Sequence, residues 1–146
     1  LCRTGFVKIY SDKTIGIPDR KGNNRLDSLV NVLHNPKVGI LFFIPGRNET
    51  LRVNGFARIS TEPKLLSDFA VDSKEPKVVI LVDISEVYLH CPKALIRSKL
   101  WEKDFEEPSL KTYIKASSQQ LGTNLTDSQI EEKASEYQDS LKDRLY

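Results

Sequence analysis

The hydrophobic pattern of residues 5–60 reads as strands and turns around one short helix. Phe6 to Tyr10 and Thr14 to Ile17 are two short β-rich runs joined across Ser11-Asp12-Lys13, a hairpin signal. After the polar turn 19–24, Leu26, Leu29, Val30 and Leu33 recur at helical spacing through His34. Asn35-Pro36 stops that helix, because proline disfavours a helical residue before it. Val38 to Ile44 follows as a buried strand. Leu51, Val53, Ala57 and Ile59 alternate with Arg52, Asn54, Phe56 and Arg58, the period of a strand between core and solvent. Gly55 interrupts it, which predicts a bulge or a close backbone approach.

Beyond residue 60, Glu62 to Val71 reads as a helix with Thr61 as its N-cap. Val78 to Leu89 is a long strand, and Pro92 opens a short basic helix over Lys93 to Leu100. Thr126-Asp127-Ser128-Gln129 is a capping box. After it Ile130, Ala134, Tyr137, Leu141 and Leu145 form one narrow apolar stripe that must dock on its own body or on a partner. Five strands with interspersed helices predict a small α+β protein, mainly β, with a barrel-like antiparallel sheet.

Composition adds limits to this pattern. The 146 residues are 39% hydrophobic and 29% charged, the make-up of an ordinary globular domain rather than a disordered or collagen-like chain. The longest apolar stretch, Val38 to Ile44, is far short of the roughly 20 residues a membrane-spanning helix needs. Residues 1–100 carry 16 Lys and Arg against 10 Asp and Glu, a balance of +6, while residues 101–146 carry 6 against 10, a balance of −4. An anionic ligand therefore belongs on the body, although the excess is too small for strong binding to a nucleic acid backbone. Cys2 and Cys91 lack any CxxC spacing, so neither a metal site nor a disulfide framework is expected. No secretory signal is visible, and the cytoplasm is the expected location.

Candidate chemistry concentrates in three segments. In Ile17-Pro18-Asp19-Arg20-Lys21-Gly22-Asn23-Asn24-Arg25-Leu26-Asp27-Ser28 a strand ends and a turn leads into a helix. The first helical N–H groups lack intrahelical partners and carry partial positive charge. Arg20, Lys21 and Arg25 add three cations and Ser28 a hydroxyl, a set that suits a phosphate monoester. A solvated basic turn whose Asn caps the helix is the other reading. The second segment is Thr50-Leu51-Arg52-Val53, with Arg52 on the polar side of its strand. In the third, His90 to Trp101, a histidine, the cations Lys93, Arg97 and Lys99, and the lone Trp surround one helix. Trp101 either stacks on a planar ring or caps the core. His34 reads as a helix C-terminal cap, and no catalytic triad or Cys-His pair is discernible.

Three further stretches make the sequence recognisable. Ile17-Pro18-Asp19-Arg20-x-Gly22-Asn23-x-Arg25-x-Asp27-Ser28-Leu29, Asn35-Pro36-x-Val38-Gly39 and Ile44-Pro45-Gly46-x-x-Glu49-Thr50-Leu51-Arg52-Val53-Asn54-Gly55 resemble the pyridoxamine 5′-phosphate oxidase-like family of flavin-binding proteins. His90-Cys91-x-Lys93-Ala94-Leu95-Ile96-Arg97-Ser98-x-Leu100-Trp101 and the closing Asp143-Arg144-Leu145-Tyr146 are similar to the same subgroup. The resemblance implies a Greek-key split β-barrel over residues 1–116, residues 117–146 being a helical appendage of that domain. It implies a homodimer with FMN in clefts between subunits and oxidoreductase chemistry at the flavin ring. The FMN phosphate would be held by Arg20, Asn23, Asn24, Arg25 and Ser28, and the isoalloxazine would lie along Ile17 and Pro18. Thr50 and Arg52 would reach the flavin, often from the second subunit, with Lys93, Arg97 and Trp101 lining the cleft.

Relatives of this kind have a helix, a first barrel strand and a polar segment before the region matching Gly5-Phe6-Val7, where this chain has Leu1-Cys2-Arg3-Thr4. The chain also contains no methionine. The expectation is a barrel entered after its first strand. The substrate is left open, since the matched motifs describe the cofactor site. Two other functions fit the pattern less fully: a flavin-binding module without turnover, and a small barrel binding single-stranded nucleic acid. Deazaflavin or haem in the same cleft is a variant of the first reading.

Overall fold

The computed structural model describes residues 6–22, 25–102 and 109–144, with side chains to Ser140. The described residues fall into two compact units, one ending at Glu102 and the other made of the two C-terminal helices. The first holds strands β1 (Lys8–Ser11), β2 (Thr14–Asp19), β3 (Lys37–Phe43), β4 (Thr50–Ser60) and β5 (Val78–His90). They form one antiparallel sheet in the order β1-β2-β5-β4-β3. β3, β4 and β5 follow one another through the sheet, and β2 lies beside β5, which is a Greek-key arrangement. Helix α1 (Asp27–His34) joins β2 to β3, α2 (Pro63–Asp68) lies between β4 and β5, and α3 (Lys93–Ser98) follows β5. The unit is a mainly β split barrel with peripheral helices, as the sequence predicts.

Why β5 begins as an unbroken apolar run is plain from its two faces. Ile80, Val82 and Ile84 join Ile15, Val53 and Ala57 in one core, to which Val32 of α1 adds. Val79 and Leu81 point the other way and pack with Phe69 and with Leu65 and Leu66 of α2. Both Val79 and Val82 are wholly buried, so neither face of this half-strand tolerates a polar residue. Gly55 makes the predicted bulge and the predicted close approach together. The register of β4 on β5 shifts between Asn54 and Gly55, so Gly55 faces Ile84 while Asn54 faces Glu86. The extra residue, Ser85, keeps Val87 and Leu89 on the face of Val53 and Leu51.

Several elements differ from expectation. β1 begins at Lys8 and not Phe6, and β2 runs on to Asp19. Pro18 is tolerated there because the pairing with β1 ends at Gly16. Helix α2 is only six residues, capped by Glu62 without a side-chain bond, not by Thr61. Its end comes early because the Phe69 N–H turns back to the Leu66 carbonyl at 3.1 Å and the ring drops into the core. Helix α3 stops at Ser98, since Lys99 takes a left-handed conformation at φ 52°.

The second unit pairs α4 (Leu110–Gln120) with α5 (Asp127–Arg144). α4 has no counterpart in the sequence reading, and the expected boundary at residues 116 and 117 falls inside it. The capping box forms: the Thr126 N–H donates to Gln129 Oε1 at 2.9 Å, and the Gln129 N–H returns to Thr126 Oγ1 at 3.3 Å. Ile130 and Ala134 are buried and Tyr137 meets Tyr113 at 6.4 Å between centroids, so the stripe docks on α4. The Leu141 side chain and Leu145 lie outside the described residues. Among the described residues no helix is long and apolar enough to cross a membrane.

Candidate functional site

Antiparallel pairing builds the site. Asp19, the last residue of β2, sits opposite Val78, the first of β5. Beyond that pair the chain leaves the sheet as the turn 20–22, and α1 begins at Asp27. A cavity of about 240 Å³ opens there, lined by Arg20, Lys21, Gly22, Arg25 and Leu26 from the turn, by Asp19, and by Lys77. Four cations thus surround a single carboxylate. Arg20 Nη2 donates to the Phe69 carbonyl at 2.8 Å, which fastens the turn to the end of α2. Arg25 Nη2 lies 3.1 Å from Asp27 Oδ2, an exposed pair worth about 0–1 kcal/mol. Among the described residues Lys21 and Lys77 make no ion pair or hydrogen bond. The N-cap of α1 is Leu26, whose side chain makes no bond to the first turn; the Asn cap of the basic-turn reading falls on Asn23 or Asn24, outside the described residues.

Not every expected residue is in this cavity. Ile17 and Pro18 stand on β2 just before Asp19; Ile17 packs on the first core and Pro18 is buried. Ser28 is exposed in the first turn of α1, outside the cavity lining. Asn23 and Asn24 lie outside the described residues. Lys77 is the residue the sequence reading misses. Its only signal is positional: it directly precedes the strand that pairs with the end of β2.

The remaining candidates gather at the opposite end of the sheet. Thr50 pairs with His90, the last residue of β5, and Arg52 with Tyr88. Thr50 is 1% exposed, and among the described residues its Oγ1 finds no hydrogen-bond partner. Arg52 Nε donates to Asn54 Oδ1 at 3.2 Å, and Asn54 Nδ2 donates to Glu86 Oε2 at 2.7 Å, so an amide links cation and carboxylate. Gly39 across the ladder leaves room for this, because a Cβ there would meet Arg52 Nη2 at 3.1 Å. Lys93 and Arg97 are exposed on α3, with Arg97 Nε donating to the Lys93 carbonyl at 3.3 Å. Trp101 does not cap the core: it is 37% exposed, and its Nε1–H donates to the Arg47 carbonyl at 2.6 Å. The His34 ring bonds the Val30 carbonyl at 2.8 Å in the last turn of α1, whose C-cap is Asn35.

The two groups of candidates are therefore separate within one chain. From Val78 to His90 β5 has 13 residues. At ~3.3 Å per residue the ends lie up to about 40 Å apart along the strand. A larger cavity of about 490 Å³, lined by Tyr113, Ile114 and Tyr137 of the helical unit among others, brings only Lys133 and Glu136 as charges and does not suit an anion. Among the described residues no group of His, Cys, Asp and Glu could hold a metal ion.

The profile of the pyridoxamine 5′-phosphate oxidase family matches residues 2–91. Of solved structures, HupZ of Group A Streptococcus is similar at TM-score 0.48 and 20% sequence identity, over 57% of this chain and 68% of that one. A variant of the same protein gives 0.49 and 20%, over 58% and 73%. General Stress Protein 26 from Bacillus anthracis str. Sterne gives 0.42 and 19%, over 56% and 67%. No curated protein matches.

Proposed function

This chain belongs to the pyridoxamine 5′-phosphate oxidase family, and on that premise we propose that it binds FMN and acts as a flavin-dependent oxidoreductase in a homodimer. The observation that carries this reading is the cavity at the β2–α1 turn, where Arg20, Lys21, Arg25 and Lys77 surround one carboxylate, Asp19. An excess of cations beside a helix N-terminus is the chemistry of a phosphate site. Arg20, fixed by the Phe69 carbonyl, gives that site a rigid wall, and Arg25 adds a second guanidinium to the lining. Asn23, Asn24 and Ser28 supply further polar groups in this reading. Ile17 and Pro18 put the end of β2 beside the ligand beyond its phosphate. Bound FMN supplies the redox chemistry, and the protein supplies binding and orientation.

Distance supports the homodimer in this reading. Thr50, Arg52, Lys93, Arg97 and Trp101 stand at the far end of β5, up to about 40 Å away by strand rise, farther than one FMN extends. Two copies laid antiparallel bring the Thr50 end of one to the Arg25 end of the other. The surface for this is present: Val87 and Leu89 are exposed on one face of the second half of β5, and Tyr88, Leu41 and Phe43 on the other. The buried Thr50 hydroxyl, without a partner among the described residues, fits a ligand's polar group. The exposed thiol of Cys91 suits a reducing compartment, and the reading places the protein in the cytoplasm.

An absorbance spectrum of the purified protein, before and after adding FMN, tests the reading. Bound-flavin bands in the visible are expected; colourless protein that binds no added FMN overturns it. Arg25→Ala is expected to weaken FMN binding about 10- to 100-fold with the circular dichroism spectrum unchanged. Reduction of the bound flavin by NADH or NADPH separates an oxidoreductase from a flavin-carrying module.

A further inference from the structure

We propose that Lys77 is a phosphate ligand supplied from a second segment, so that the anion is clamped between the β2–α1 turn and the start of β5. The inference rests on the FMN reading of this cavity and adds a residue and a specificity to it. Because Asp19 pairs with Val78 in an antiparallel ladder, residue 77 stands across from residue 20. Lys77 accordingly lines the cavity, although 57 positions separate it from Arg20 in sequence.

The segment that brings it there is held at both ends. Phe69, 3% exposed, anchors one end in the core, and its carbonyl accepts the bond from Arg20. Pro76 is buried at the other end, immediately before Lys77. Between them Val71 and Lys74 exchange backbone bonds at 3.0 and 2.9 Å. That tight turn puts Asp72 and Ser73 in the left-handed region, at φ 49° and 62°, without a glycine. Such a conformation persists only where its surroundings fix it. The segment is a built support for the lysine rather than a slack loop.

Charge gives the lysine its task. Arg20 is engaged by a carbonyl and Arg25 by a carboxylate, whereas Lys77 has no partner among the described residues. Asp19 is the one carboxylate in the lining, and it opposes a phosphate dianion. A second-side ammonium offsets that repulsion. Its ammonium on a flexible stem can donate to phosphate oxygens from many directions. The consequence is specificity: the preference for a phosphorylated flavin over riboflavin depends on Lys77, and affinity for riboflavin does not.

Titration of wild type, Lys77→Ala and Lys77→Arg with FMN and with riboflavin tests this. Lys77→Ala is expected to raise the Kd for FMN about tenfold, the size of one charge-assisted contact. Its Kd for riboflavin should stay within about twofold, and Lys77→Arg should keep most of the FMN affinity. Lys13→Ala removes the same charge at the opposite end of β2 and is expected to leave both affinities unchanged. Equal FMN affinity in wild type and Lys77→Ala overturns the assignment while leaving the FMN reading standing. Equal losses for FMN and riboflavin, or an equal loss in Lys13→Ala, overturn it as well. Wild type that binds no FMN overturns the reading of the cavity itself.

Discussion

Tyr10 sits where three elements are tied by one side chain. Its ring meets Phe69 edge-on at 6.4 Å between centroids, and its hydroxyl donates to Asp68 Oδ2 at 3.2 Å. Gly16 makes the space, since a Cβ there would lie 2.6 Å from Tyr10 Cε2. Lys8 completes the group, with its ammonium over the Phe69 ring and bonded to the Asp68 carbonyl. Burial first, and then the Asp68 carboxylate, raise the Tyr10 phenol above its ordinary value of 10.0. The unfolded chain therefore releases this proton at a lower pH than the fold does. Above about pH 10 the native state binds more protons, so its stability falls as pH rises, whereas below that pH the contribution is fully present. Denaturation curves from about pH 8 to about pH 11 should show wild type losing stability faster than Tyr10→Phe above about pH 10; parallel losses would remove Tyr10 as the source. Individual residues were legible in the sequence when their chemistry was local. Arg20, Lys21 and Arg25 share one turn, and all three line the cavity. Lys77 and the buried hydroxyl of Thr50 were not legible, because strand pairing between distant segments sets the surroundings of both.

At the level of elements, the same contrast separates strands from helices. β5 was readable because burial on both faces demands an apolar run, and β4 because its faces alternate. α4 was not, since much of its contact face is Ser117 and Ser118, and the buried Ser118 satisfies its hydroxyl on the Lys115 carbonyl. A helix that docks through small hydroxyl residues leaves little apolar stripe to see. α2 was overextended because Leu65, Leu66 and Phe69 have helical spacing, yet Phe69 reaches the core from outside the helix and Val71 belongs to the tight turn with Lys74. The bulge was legible from a single glycine, and it carries the sharpest stability prediction. A Cβ on Gly55 would stand 2.3 Å from the Asp83 carbonyl oxygen, so Gly55→Ala must push two paired backbones apart. A loss of about 2–4 kcal/mol is expected, the cost of overpacking against backbone that cannot rotate away. Gly22→Ala, whose Cβ would meet nothing nearer than 4.0 Å among the described residues, should change stability by no more than about 0.5 kcal/mol. Urea denaturation of the two variants beside wild type measures the difference; similar losses would mean the bulge relaxes.

Across the whole first unit, the sheet has a finished half and an unfinished one. Around Val79 to Val82 both faces are covered, whereas Val87, Tyr88 and Leu89 are exposed among the described residues. Leu89 is 71% exposed, and among the described residues it joins neither core cluster. In an isolated subunit Leu89→Lys should therefore cost at most about 0.5 kcal/mol, as exposed substitutions do. In a homodimer built over this half of the sheet, the same change buries an unpaired ammonium and breaks the interface. Light scattering after size exclusion is expected to show a dimeric wild type and a monomeric Leu89→Lys, both folded by circular dichroism. FMN should leave with the dimer. In the FMN reading the turn cavity survives in each monomer, but the Thr50 and Arg52 end proposed to complete the cleft lies up to about 40 Å away on the same strand. A Leu89→Lys protein that stays dimeric, or one that becomes monomeric and keeps full FMN affinity, would separate the flavin site from the partner subunit. The two ends of β5 would then need different ligands.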